Sequence, residues 1–249
     1  MTEMSSPSVR FAEGEFRIGR VLRLTFSVLS RHFPQFIAVT AVASLPTLLL
    51  MQALVTADTS PAATAALALL GALVALVFSM LSQAIVVHGA LQHIRHRPVR
   101  LPDSVRVCFD RALPLVALAI TELLLGAVAL LALVFPALIL VTMWLVTVPV
   151  CVVELRGPVA SLGRSSELTS GCRWRIFGLL GPIFAVDLLV SSMLDMLTTP
   201  ERTVLILLGN LAWNGVWGAF YATAVAVAYH DLLVAKEGAD IEQITSVFD

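Results

Sequence analysis

The run 113–153, LPLVALAITELLLGAVALLALVFPALILVTMWLVTVPVCVV, contains a single charged residue, Glu122. As one helix rising 1.5 Å per residue, these roughly 41 residues would reach about 60 Å, twice the roughly 30 Å of a bilayer's hydrocarbon core. A chain carrying this run must cross a membrane, turn and cross back. Pro136 is the predicted turn. It lacks the amide that would continue the hydrogen-bond ladder, and it biases Phe135 away from helical geometry.

The remaining composition agrees. Of 249 residues, 58% are hydrophobic and 13% charged, with a mean hydropathy of +0.92, whereas soluble domains are about one quarter charged. Such apolar runs leave little chain for a separate soluble fold. The predicted class is an all-α polytopic integral membrane protein with six transmembrane helices in three hairpins and amphipathic helices at the cytosolic face.

Taken in order, residues 1–15 are polar, lack the apolar core of a secretory signal, and read as a disordered cytosolic tail. In 16–33, Arg20, Arg23, Ser27, Ser30 and Arg31 recur at three- and four-residue intervals, opposite Ile18, Val21, Leu22, Thr25, Val28, Leu29 and Phe33. That basic amphipathic helix suits either anionic lipid headgroups or the protein's own cytosolic loops. Pro34 marks the turn into a first span over 35–55, with a kink at Pro46. A second span covers 62–93. A short interfacial helix over 102–112 follows, opened by Pro102 and Asp103. After the central hairpin, Gly157 and Pro158 start a helix over 158–171 that Gly171 caps. Spans over 176–197 and 203–235 complete the membrane domain of 16–235, and an acidic tail occupies 236–249.

The sixteen Lys and Arg residues fix the orientation. Five precede the first span, five lie between spans two and three, four between spans four and five, and Lys236 follows the last. Only Arg202 falls on the other side. Basic residues near span ends stay in the cytosol, so both termini are expected there. Each pair of spans also follows a basic, partly amphipathic segment, which suggests three units of interfacial helix plus helical hairpin.

Two acids stand out, Glu122 and Asp187, each near the middle of a span with no Lys or Arg in any span to pair with. Intramembrane carboxylates face a bundle interior or a wet cavity. They could relay protons or cations in a transporter, or sit as neutral acids bonded to a neighbouring helix, with Asn210 or Asn214 as partners. Asn210, Trp213, Asn214 and Trp217 form an i, i+4 double ladder among Gly209, Gly215 and Gly218, a pattern for close helix packing more than for a ligand. His88, Gln92, His93 and His96 cluster near the end of span two without a metal signature such as HExxH. Cys108, Cys151 and Cys172 have no CxxC spacing, and no phosphate loop or nucleophile elbow is present. No catalytic residue, cofactor or metal is expected. The basic segments favour headgroups over nucleic acid, through Arg20, Arg23, Arg31, Arg164, Arg173, Trp174 and Arg175.

The segments VVELRGPVASLGRSSELTSGCRWRIFGLL and AVAYHDLLVAKEGADIEQITSVFD resemble a group of uncharacterised bacterial six-span proteins. That group is labelled as similar to the membrane domain of glycerophosphoryl diester phosphodiesterase and includes YciC-like proteins. The likeness centres on Arg164, Ser165, Glu167, Leu168, Gly171, Trp174 and Arg175. It implies an inner-membrane location. It does not imply the phosphodiesterase reaction, whose catalytic domain is absent from this sequence. The expected role is that of a non-enzymatic membrane-organising or accessory protein, binding anionic lipids, a protein partner or a second copy of itself. Transport through Glu122 and Asp187 is the alternative.

Overall fold

The computed structural model describes residues 16–56, 60–132, 134–197 and 203–237. Among them the chain is helical throughout: α1 (Ile18–Thr56), α2 (Pro61–Ile94), α3 (Leu101–Asp110), α4 (Ala112–Ala132), α5 (Val134–Met143), α6 (Thr147–Val153), α7 (Pro158–Thr169), α8 (Arg173–Met196) and α9 (Thr203–Glu237). Five of these, α1, α2, α4, α8 and α9, are long and apolar enough to cross a membrane, while the apolar stretch Leu138–Val153 is shorter and interrupted. The predicted tail over 1–15, residue Arg202, and the acidic tail beyond α9 lie outside the described residues.

Local chemistry sets several helix ends. Ser60 caps α2 by accepting from the Ala63 amide, and Pro61 follows at the first helical position. Proline also opens α7 after Gly157, and Gly171 just beyond it takes φ +78°, a conformation that a residue without Cβ adopts freely.

The predicted proline effects are met in part. The turn expected at Pro34 is present: two helices meet within α1 at a kink at His32, φ −121°, ψ 20°, two residues before the proline. Pro46 lies within helical backbone, so the expected kink there is not a departure in φ and ψ. Pro136 is not a turn: it lies in the helical backbone of α5, and residue 133, between α4 and α5, lies outside the described residues.

The limb after it is broken. The chain leaves helix at Trp144–Val146 and resumes as α6. Hydroxyls meet the carbonyls at this break: Ser165 on α7 donates to Met143 O at 2.6 Å, and Thr147 donates to Trp144 O at 2.6 Å beside its own backbone amide at 3.1 Å. Without Ser165 the Met143 carbonyl would cost about 1–3 kcal/mol.

The helix pair α1 and α9 forms the centre, with α2 against both. Gly215 and Gly218 allow the approach, since a Cβ at Gly215 would lie 3.0 Å from Ala41 Cβ and one at Gly218 3.1 Å from Thr40 Cβ. Thr40 then donates to Gly215 O at 2.6 Å across the crossing. The core is concentrated toward one end of the bundle, where Val21, Val28, Phe36, Val86, Val146, Ile176, Ala226 and Tyr229 are buried. We call this the basic end, because the arginines of α1, α3, α7 and α8 gather there. The opposite half exposes Leu45, Leu49, Leu69, Leu188, Met193, Met196 and Leu205. So much exposed apolar surface suits hydrocarbon rather than water.

Candidate functional site

At the basic end the arginines divide into those committed to the protein and those that are not. The apolar face of the first amphipathic segment packs inward, with Val21, Thr25, Val28 and Leu29 buried, so it is covered by the protein and not by acyl chains. Arg20 on the same helix pairs with Asp231 of α9 at 3.1 Å, and the backbone amide of Arg17 donates to the other oxygen of that carboxylate at 3.4 Å. Arg164 reaches Glu154 at 3.3 Å and Glu167 at 3.6 Å. Arg175 donates to Phe16 O at 3.5 Å. Arg23 and Arg31 are exposed.

Sequence reasoning missed the hub of this end. Glu154 collects Arg156 at 2.8 Å, Arg164 at 3.3 Å and the Tyr229 hydroxyl at 3.2 Å. The only signal was its place immediately after the longest apolar run, where a carboxylate must find partners or water.

Arg173 and Trp174 open α8 beside a groove of about 280 Å³ that they line with Leu138, Ile139, Thr142 and Phe177. One end of the Arg173 guanidinium donates to Ser166 Oγ at 3.5 Å, while its Nε is buried with no hydrogen-bond partner. Trp174 is 81% exposed and meets Phe177 edge-on, with ring centres 6.3 Å apart. The groove therefore joins a cation with unmet hydrogen-bonding capacity to an apolar trough.

The two intramembrane acids are not brought together. Asp187 accepts from Trp213 Nε1 at 3.0 Å. The expected partners Asn210 and Asn214 are not its donors: the Asn214 amide donates one turn back to Asn210 O at 2.7 Å. The indole reaches further across the α8–α9 gap than an asparagine can, and Trp213 is held by stacking on Trp217 with ring centres 5.3 Å apart. Glu122 instead bonds to the Thr147 side chain at the start of α6 and lies toward Tyr221 of α9. It thus stands beside the helix break, a position that the sequence of α4 alone does not reveal.

A separate cavity of about 370 Å³ lies between α1, α2, α8 and α9, lined by Thr40, Ser44, Thr47, Ser79, Ser82, Asn214 and Tyr221 among apolar and aromatic neighbours. Neither Glu122 nor Asp187 lines it.

The histidines are paired off locally. His32 Nε2 and His93 Nδ1 lie 3.2 Å apart, so one ring donates and the other accepts, and His88 Nδ1 lies 2.9 Å from Ser104 Oγ. Gln92 Oε1 accepts from the Arg100 amide at 3.3 Å. Among the described residues no group of three or more His, Cys, Asp or Glu converges as a metal site would require. Cys108 and Cys151 are buried and Cys172 is partly exposed.

No protein-family model matches the chain, and neither does any curated protein or solved structure.

Proposed function

We propose that this chain is a six-span inner-membrane protein with both ends in the cytosol, and that it acts as a non-enzymatic accessory binding anionic phospholipid at its basic end. The sixth crossing is the interrupted limb formed by α5 and α6, which returns the chain to the side where α7 lies. The distribution of basic residues supports that side as the cytosol. In this reading α1–α2, α4–α6 and α8–α9 are three hairpins. The resemblance to YciC-like six-span proteins fits the same arrangement.

The observation that carries the lipid reading is Arg173. Its buried, unpartnered Nε beside exposed Trp174 offers a phosphate a charge-assisted hydrogen bond, and Leu138, Ile139 and Phe177 offer an acyl chain a trough. The test is native mass spectrometry of the full chain released from mixed phosphatidylglycerol and phosphatidylcholine. Preferential retention of phosphatidylglycerol, lost in Arg173→Gln and weakened in Trp174→Ala, is expected. Equal retention of both lipids by the parent protein would overturn the reading.

A second reading, transport, is favoured by one observation: Glu122 contacts Thr147 where the helix is broken. Interrupted membrane helices place backbone and acid groups at translocation sites. Here Glu122 alone is the working acid, and Asp187 serves the α8–α9 contact. Uptake into liposomes that Glu122→Gln abolishes and Asp187→Asn leaves intact supports it. Uptake that is absent, or indifferent to Glu122→Gln, removes it.

A further inference from the structure

A bond between two imidazoles sits on the kink of α1. His32 is the residue inside α1 that leaves helical geometry, and its Nε2 lies 3.2 Å from Nδ1 of His93 in the last turn of α2. Beyond the kink, Phe36 is fully buried and holds α1 against α2, since a Cβ at Gly89 would lie 3.2 Å from its ring. Before the kink, Arg20 ties α1 to Asp231 of α9. The histidine bond therefore links the amphipathic half of α1 to the end of α2 at the point where the helix bends.

That link depends on protonation. With both rings neutral, one donates and the other accepts. A first proton enters at the free nitrogen of the donating ring, and the contact persists as a charge-assisted hydrogen bond. A second proton must occupy the accepting nitrogen itself. Both facing nitrogens then carry hydrogen, no acceptor is left between them, and two cations stand in contact. The other groups that act on His93 are Arg31, a cation, and His96, a third imidazole, and both add to the repulsion. Acids on the neighbouring elements are engaged elsewhere: Asp231 of α9 accepts from Arg20 and the Arg17 amide, and Asp103 of α3 acts on His88. Two further imidazoles belong to the helices packed here, His88 of α2, beside Ser104, and His230 of α9.

We propose that the His32–His93 pair is a proton-operated latch on the α1 kink, joining α1 to α2 while at least one ring is neutral and opening when both are charged. Opening parts the end of α2 from the amphipathic half of α1, which stays on α9 through Arg20 and Asp231. Histidine is the side chain whose ordinary pKa, about 6.5, brings such a change into the physiological range. The latch requires neither lipid binding nor transport.

The experiment uses the full chain in phosphatidylcholine nanodiscs, spin-labelled at Ser27→Cys and Arg97→Cys, both exposed positions, in a Cys172→Ser background. The distance between the labels is followed by electron paramagnetic resonance from about pH 7.5 to about pH 5. A reversible lengthening on acidification is expected. Glutamine can donate to a neutral imidazole or accept from a charged one, so His32→Gln and His93→Gln should each keep the link and lose the pH response. Either of the two that folds carries the test. His88→Gln and His230→Gln should retain the response. A distance that stays constant in the parent, a response that survives in a folded His32→Gln or His93→Gln, or one that His88→Gln or His230→Gln removes overturns the proposal.

Discussion

Tyr229 donates a 3.2 Å hydrogen bond to Glu154 from 75 residues away, onto a carboxylate that also holds Arg156 and Arg164. This contact joins the end of α9 to the start of the segment that leads into α7. Removing the acid leaves Arg164, whose side chain is 18% exposed, with only the longer pairing to the exposed Glu167, whereas removing the phenol leaves the ion pairs intact. Glu154→Ala should cost on the order of 3 kcal/mol and Tyr229→Phe about 1 kcal/mol. Thermal unfolding of the two variants checks the ranking, and equal losses would contradict it.

Arg20 and Asp231 close the same end between α1 and α9 at 3.1 Å, but the arginine side chain is 39% exposed. Solvent screening limits its contribution, so Arg20→Ala should cost about 1 kcal/mol or less. Asp231→Asn keeps an acceptor for the Arg17 amide and should cost no more. A double-mutant cycle with both changes measures the coupling, and a value near zero would show the pair to be incidental.

Ser165→Ala removes the donor to Met143 O in a fully buried position. The orphaned carbonyl should lower stability by about 1–3 kcal/mol, while Ser27→Ala, exposed on α1, should change little. Rapid protease cleavage within 143–147 in the first variant alone is the expected signature.

Gly215→Val places a Cβ 3.0 Å from Ala41 and 3.2 Å from Ile37, at the α1–α9 crossing. Overpacking there should cost about 1–3 kcal/mol. A Cβ at Gly126 of α4 meets nothing within 4 Å, so Gly126→Ala should leave Tm unchanged or raised. Similar losses in both would refute close packing as the reason for Gly215.

Burial pushes the Cys108 thiol up to about 11. The thiolate is the reactive form, and at pH 8 only about one part in a thousand of a thiol with that pKa is ionised. The fraction rises tenfold per pH unit toward 11. Cys172, partly exposed, should therefore label with iodoacetamide well before Cys108 at pH 8, and Cys172→Ser should remove the fast phase. Mass mapping of the alkylated peptides decides this.

The helix ends that were legible carry their own punctuation. Gly157 and Pro158, and Gly171, act on neighbours within one turn, and the sequence displays them side by side. The break at Trp144–Val146 was invisible because all three residues are apolar and its carbonyl partner, Ser165, is 22 residues distant. The same limit explains Asp187. Its ladder of asparagines could be read along α9, but the register of α9 against α8 decides that an indole reaches it first. Glu122 was recognisable as an isolated acid, while its contact with Thr147 depends on where the next limb breaks. Arg20 could be placed on a polar face, yet nothing near it in the chain announces Asp231.

The hydroxyl that closes the gap at Met143 has a consequence for how the protein is made. Ser165 leaves the ribosome after the limb it completes, so α5 and α6 emerge with the Met143 carbonyl lacking the hydroxyl that satisfies it in the finished fold. Until α7 has been translated and docked, that carbonyl must find water or another donor. Translation order thus makes the break between α5 and α6 the last part of this region to settle, once the helix that follows it is in place.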